Sequence, residues 1–334
     1  MRAPLPLSLS IMGINIKTGW IVVGWLIVMA LSGCRPEARP KQDSPDTVKD
    51  IVALQVALVP TLDCLPFLYA ADKGYFRNRG INVKWNVQNS LLDCETALSR
   101  QTADVVASDL VKAVKMQQSS KRRITVLMAT EARWALLSSR EVRVRKLSQL
   151  KDRTVAVARF TATDLLSDLY AQSGGMNPNA IYRPQINNIN LRGQMLNEKQ
   201  VEAAILPEPQ ATMSQADGNR RLGTGEYDGY GLGCLVAYAD RLQSAGRQNA
   251  VKELIAGYDW AVSQLNGRRD TYRDSVALHY GMVTNVDRLK RIKWPRYGKA
   301  APVKAADVNR AVQFLRQRGI KVDVLPITKG KWVK

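Results

Sequence analysis

The sequence predicts an α/β fold of two lobes, and three observations carry that expectation. From about residue 51 to the end, short apolar strands alternate with amphipathic helices, the rhythm of a parallel sheet covered by helices. That body holds about 280 residues, enough for two domains of ordinary size. It contains no internal repeat and no low-complexity stretch.

Ahead of the body, residues 20–31 form an uncharged apolar run. At about a dozen residues it has the length of a secretory h-region and is short of the roughly 20 that span a bilayer as a helix. Lys17 stands before it and Arg35 is the first charge after it. The run closes on Leu31, Ser32, Gly33 and Cys34, which resembles the lipobox of bacterial lipoproteins. That resemblance makes residues 1–33 a signal peptide and Cys34 the lipidated first residue of the mature protein. Each buried methylene of an acyl chain such as palmitate adds about 0.8 kcal/mol, so two or three chains hold a protein on a membrane. An uncleaved signal anchor is the alternative, and Met12 is a second candidate start. Residues 34–50 carry Pro36, Pro40 and Pro45 among charged and small residues and read as a tether with almost nothing to bury.

Within the body, residues 52–59 read as a buried strand, 60–65 as a loop and 66–74 as a helix closed by Gly74. Alternating apolar positions make 81–87 a strand, and Asp93 caps a helix running to about residue 100. A short strand at 104–107 leads to a helix over 108–116, and 124–129 is the next strand. Ligands of such sheets sit outside the carboxyl ends of the strands, where loops enter helices. Helix N-termini there present unpaired N–H groups and a partial positive charge. This singles out Asp93, Cys94, Glu95 and Thr96, then Ser108 with Asp109, then Thr161, Thr163 and Asp164. Equally, Asp93, Ser108 and Thr161 or Thr163 serve as ordinary caps that satisfy their own helices.

The formal charge is +20, which favours an anionic membrane surface or an acidic ligand. Nucleic acid is set aside as a partner, because the basic residues are scattered with only short clusters such as 121–123 and 288–291. With Cys34 lipidated, Cys64, Cys94 and Cys234 remain. Cys64 and Cys94 each follow an aspartate in a loop before a helix, so they are either a disulfide or two small half-buried residues. There is no CxxC pair and His279 is the sole histidine, which argues against a zinc site. His279 lies in a helical pattern and is expected to pack. Gly223, Gly225, Gly229, Gly231 and Gly233 lack a following Gly-Lys-Ser/Thr, so they read as an approach to a strand and not as a phosphate loop. No GxSxG motif is present.

Four stretches in order carry a family resemblance. VALVPTLDCLPFLYAADKGYFRNRGINVKW, DCETALSRQTADVVASDLVKA, LSQLKDRTVAVARFTATDLLSDLY and VEAAILPEPQA resemble the ABC-importer binding proteins for nitrate, taurine, aliphatic sulfonates and thiamine pyrimidine precursors. The resemblance implies a type 2 periplasmic binding protein, in which each lobe is a mixed, mostly parallel sheet flanked by helices. The crossings then lie near 131–134 and 234–238, with 51–132 and 238–334 as lobe I and 133–237 as lobe II. A hinge of this kind closes on its ligand, so that an importer can recognise the closed form.

In that family the loop holding Thr61, Asp63 and Cys64 contacts the ligand. Asp63 and Asp93, if both face the cleft as carboxylates, favour a ligand with amine or amidine donors. Glu208 binds a ligand donor or bridges the lobes. Phe160, after Arg159, stacks on a planar ring or belongs to the core. The implied protein is a monomeric solute-binding component of an ABC importer that takes a small polar or planar nitrogen-containing molecule without a cofactor. Its partners are a transporter permease and, through the lipid anchor, a bacterial membrane, with the body facing the periplasm or the exterior. Two alternatives stand beside it: a sensor or assembly lipoprotein of the same fold, and an enzyme of pyrimidine-precursor metabolism. The related eukaryotic enzymes use a histidine and a cysteine-rich iron motif, and neither motif is present in this sequence.

Overall fold

The computed structural model describes residues 53–223, 227, 229–267, 271–323, 325 and 332–333. The leader, Cys34 and the tether lie outside the described residues. The first sheet begins with β1 (Ala53–Leu58), followed by α1 (Leu65–Asp72), β2 (Asn82–Val87), α2 (Leu91–Ser99), β3 (Val105–Asp109), α3 (Leu110–Ser119) and β4 (Ile124–Ala129). β1 buries Leu54 and the whole of 56–58, with Gln55 half-buried between them, as a strand largely covered on both faces requires. β2 alternates exposed and half-buried positions, which is what an edge strand with one wetted face should show. Gly74 follows α1 at φ 73°, a left-handed conformation that glycine adopts without a Cβ penalty.

The chain then builds a second sheet from β5 (Trp134–Ser138) and β6 (Val155–Ala156). Next come α4 (Ala162–Ser173), α5 (Ile189–Asn197), β7 (Ala203–Pro207), α6 (Gln210–Ala216) and β8 (Arg220–Leu222). It returns through β9 (Gly233–Tyr238) and ends in α7 (Ala245–Leu265), α8 (Thr271–His279), α9 (Val286–Leu289) and α10 (Ala305–Gln317).

Strand order is β2-β1-β3-β9-β4 in the first sheet and β6-β7-β5-β8 in the second. β1 runs parallel to β2 and β3, whereas β9 is antiparallel to both β3 and β4. In the second sheet β6 and β7 are parallel, and β5 is antiparallel to β7 and β8. Both sheets are therefore mixed, and the antiparallel pairs come from the strands next to the two crossings. The sequence reading returned the chain to the first lobe at residue 238. In the structure all of β9 is buried in the first sheet, so the return is complete by Gly233. Six consecutive buried residues suit the middle of a covered sheet and do not suit a crossing. The two crossing segments meet where the Thr130 N–H donates to the Gly233 carbonyl at 2.9 Å.

The carboxyl-terminal helices cover the first sheet. Phe67 of α1 meets Tyr258 of α7 with ring centroids 4.8 Å apart, and Tyr75 packs on Trp260 at 5.2 Å. Gly257 lets Phe76 approach α7 closely, since a Cβ there would lie 2.6 Å from two ring atoms. His279 does not pack as expected: it ends α8 with its side chain 66% exposed and stacks on Tyr280. Among the described residues, no helix is long and apolar enough to cross a membrane.

Candidate functional site: an interlobe cavity

The carboxyl end of β1, the start of α2 and the β3–α3 corner face the loops before α4 and α5 across a cavity of ≈ 360 Å³. Hydrogen bonds join the two sides around it. The Ala162 N–H at the start of α4 donates to Asp109 Oδ2 at 2.9 Å. The Ile189 N–H at the start of α5 donates to the Asn89 carbonyl at 3.0 Å, and the Leu62 N–H donates to the Glu208 carbonyl at 2.9 Å. Gln210 Nε2 donates to the Pro60 carbonyl at 2.9 Å. Farther out, Arg318 after α10 meets Asp168 of α4 at 2.6 Å. This is the lobes-together state.

Thr61, Asp63, Glu95, Thr96, Ser108, Asp109, Phe160, Thr161 and Thr163 all line the cavity. Asp63 is buried, and its two oxygens accept from Thr61 Oγ1 at 2.6 Å and Thr130 Oγ1 at 2.7 Å. Burial outweighs these bonds and raises its carboxyl pKa. Asp109 caps α3 by accepting from the Lys112 N–H at 2.9 Å while its other oxygen takes Ala162. Desolvation pushes its pKa up to about 6, against the lowering effect of the two backbone donors. The cap is therefore Asp109 and not its neighbour Ser108, and one carboxylate serves a helix of each lobe. Glu95 pairs with Lys112.

Other sequence-selected residues fall elsewhere. Ser90, not Asp93, caps α2: its hydroxyl oxygen accepts from the Asp93 N–H at 3.1 Å, and its O–H donates to the Asp93 carboxylate at 2.7 Å. Asp93 thus occupies the third helical position, exposed and outside the cavity lining. Cys64 and Cys94 are fully buried, and together with Cys234 they are free thiols; burial raises all three thiol pKa values. Asp164 lies beneath the cavity wall. Its Oδ2 accepts from the Phe160 N–H at 2.9 Å and Arg159 Nε at 3.0 Å, holding Phe160 at φ 55°. Such a left-handed bulky residue persists only where its surroundings enforce it.

Glu208 lines a second cavity of ≈ 390 Å³ on the far side of the crossings, with Glu131, Arg133, Arg221 and Arg291. Its carboxylate accepts from the Thr212 N–H at 3.0 Å and hydroxyl at 2.7 Å. Asp63 borders both cavities.

The cavity residues that the sequence does not single out include Trp134, Asn187, Lys115 and Arg192. Lys115 sits 5.4 Å from the Phe160 ring centroid. Arg192 of α5 is 2% exposed; its Nη1 donates to the Ile186 carbonyl at 2.9 Å, and its Nε has no partner. Burial lowers its pKa to about 10 with no compensating acid. The signal for Arg192 lay in spacing, because Ile189, Arg192 and Leu196 are the buried stripe of α5 and a cation on such a stripe is unusual. Among the described residues no cluster of three or more His, Cys, Asp and Glu side chains is arranged to hold a metal.

A family model described as NMT1/THI5 like matches residues 61–238. The ligand-binding component of an ABC-type import system from Staphylococcus aureus, with zinc bound, is similar with a TM-score of 0.68 and 14% identity, covering 84% of this chain and 96% of that one. The alkanesulfonate-binding protein from Xanthomonas axonopodis pv. citri, bound to MOPS, has a TM-score of 0.67 and 15% identity over 82% of this chain and 94% of that one. A desulfurization enzyme is similar at a TM-score of 0.58 and 12% identity, over 84% and 95%. None of the curated proteins matches the sequence. At these identities the likeness to solved structures is one of fold.

Proposed function

The chain belongs to the NMT1/THI5-like family, and we propose that it is the solute-binding component of an ABC importer, holding a small polar or planar nitrogen-containing molecule between its lobes. The observation that carries this reading is the cavity itself, bounded by strand ends and helix starts from both lobes and joined around its edge by hydrogen bonds. A ligand seated there touches both halves, so its binding energy favours the closed state that a permease would recognise. Trp134 and Phe160 offer faces for a planar body, and Ser108, Thr161, Thr163 and Asn187 offer donors and acceptors for ring or amide nitrogen. The earlier case for amine donors loses Asp93 and Glu208, which lie off the cavity, and keeps Asp63.

In the same reading residues 1–33 are removed, Cys34 carries the lipid, residues 34–50 tether a monomeric body to a bacterial membrane, and the described residues divide into the lobes of the two sheets. The test is native mass spectrometry of the protein purified from its own host, followed by identification of any small molecule released on denaturation. A released solute that raises the melting temperature when added back is the expected result. At about 100 times its dissociation constant it should add about 2.7 kcal/mol. An empty protein with no thermal shift across pyrimidines, sulfonates, nitrate and amino acids refutes it. The similarity to a desulfurization enzyme favours one second reading, catalysis in the same cavity, which turnover of the released molecule would reveal.

A further inference from the structure

We infer that the cavity behind the crossings is a second binding site, which takes a phosphate group. It measures ≈ 390 Å³ and meets the first cavity only at Asp63, so the inference goes beyond the solute-binding role and stands without it. Its walls come from both lobes. Arg133 lies on the first crossing segment just before β5, and Thr212 and Gln215 belong to α6. Arg291 and Lys293 come from the segment after α9. That segment is fastened beside the first sheet where the Tyr297 hydroxyl donates to the Leu62 carbonyl at 2.9 Å. Arg288 of α9 holds the two walls together, its guanidinium donating to both oxygens of Asp217 at the end of α6, at 2.7 and 3.2 Å.

Most of the acids in this cavity already have partners. Glu208 Oε2 accepts from the Thr212 N–H and hydroxyl, and its Oε1 lies 3.7 Å from Arg221. Asp63 turns one oxygen to Thr61 and the other to Thr130. Against Glu131 stand three cations, Arg133, Arg291 and Lys293, whose side chains have no hydrogen bond or ion pair among the described residues. Cations gathered onto one cavity from separate segments repel one another, and an anion seated among them offsets that repulsion. All three are exposed, so an incoming group reaches them directly. A carboxylate sets its two oxygens in one plane and is matched by a single guanidinium. The tetrahedral oxygens of a phosphate group point to several donors at once, and its charge of about −1.5 to −2 suits more than one cation. Held there, it touches both lobes and ties them together behind the crossings.

The experiment titrates the full chain by calorimetry with two probes, inorganic phosphate and glycerophosphoglycerol, the soluble form of an anionic lipid headgroup. Three proteins are compared: the wild type, a cavity variant with Arg291→Gln and Lys293→Gln, and a control with Arg143→Gln and Lys151→Gln. The control removes the same charges from exposed positions outside both cavities. The expected result is binding to the wild type that weakens at least about tenfold in the cavity variant, the loss that follows from removing charge-assisted hydrogen bonds. In the control it should change by less than about twofold. Arg133→Gln, from the other lobe, should weaken the same probe. Tighter binding of inorganic phosphate makes the occupant a free phosphate, and tighter binding of glycerophosphoglycerol makes it a headgroup; either supports the site. The replaced side chains are all exposed, and equal melting temperatures check that each variant is folded. No binding of either probe, or equal weakening in the cavity variant and the control, would overturn the inference. The solute-binding role is decided separately, by the molecule released from the first cavity.

Discussion

Asp109 is the group whose removal should change how stability depends on pH. Its folded-state pKa rises from 3.8 to about 6 because desolvation outweighs the two N–H donors. At about 1.4 kcal/mol per unit, that rise means ionisation costs the folded state about 3 kcal/mol. A raised folded-state value places the stabilising contribution at low pH: it is complete below about 3.8 and lost as pH climbs through about 6. Asp109→Asn has no such titration. It also replaces one acceptor oxygen with an NH₂ facing a backbone N–H, either that of Lys112 or that of Ala162, a cost of about 1–3 kcal/mol that does not vary with pH. Urea unfolding of both proteins at pH 4, 5, 6 and 7 should therefore show the variant the less stable at pH 4 and the wild type losing about 2 kcal/mol relative to it by pH 7, so that the gap closes or reverses. Asp63 and Asp168, also raised by burial, titrate in the same direction but are common to both proteins and cancel in the difference. A gap that stays constant from pH 4 to 7 would refute the assignment of Asp109 as a buried, desolvated carboxylate.

Four further outcomes are expected. Gly257→Ala would drive a Cβ to 2.6 Å from the Phe76 ring, so denaturant unfolding should show a loss of about 1–3 kcal/mol from overpacking. Ser90→Ala removes the cap of α2 and should lower stability by about 1 kcal/mol, while Asp93→Ala, on the exposed side, should leave solute affinity unchanged in calorimetry. Cys34→Ser should move the protein from the membrane to the soluble fraction or accumulate an uncut precursor; unchanged attachment with no precursor would end the lipoprotein reading.

The strands were the readable part of this sequence. β4 spans 124–129, as its apolar run indicates, and β2 begins one residue later than expected. Helix starts were harder, because Ser, Thr and Asp near a boundary are nearly interchangeable as caps. At α2 the deciding pattern was present, a Ser followed three residues later by an acid, yet Asp93 was read as the cap. At α3 the choice between Ser108 and Asp109 turns on a single residue, and the bond from the Lys112 N–H to the Asp109 carboxylate decides it. The return to the first sheet lies earlier than the crossing near 234–238 that the family resemblance implies, because β9 itself pairs with β3 and β4. The cavity was legible as a set of corners and not as a charge pattern: pairing of Lys112 with Glu95, or isolation of Arg192, depends on segments far apart in sequence that meet only after folding.

The position of β9 has a consequence for how the molecule comes to be. β9 lies between β3 and β4, so the first sheet lacks an interior strand until residues 233–238 have emerged. Synthesised from its amino end, the chain holds four of those five strands with β3 and β4 unjoined, each exposing a pairing edge. Residues 134–222 contain all four strands of the second sheet and can pair among themselves meanwhile. The later-made lobe is thus free to fold first, and its completion brings β9 back to close the earlier one. Pairings of such long sequence separation are slow to form, so the first sheet is the last part of the fold to lock.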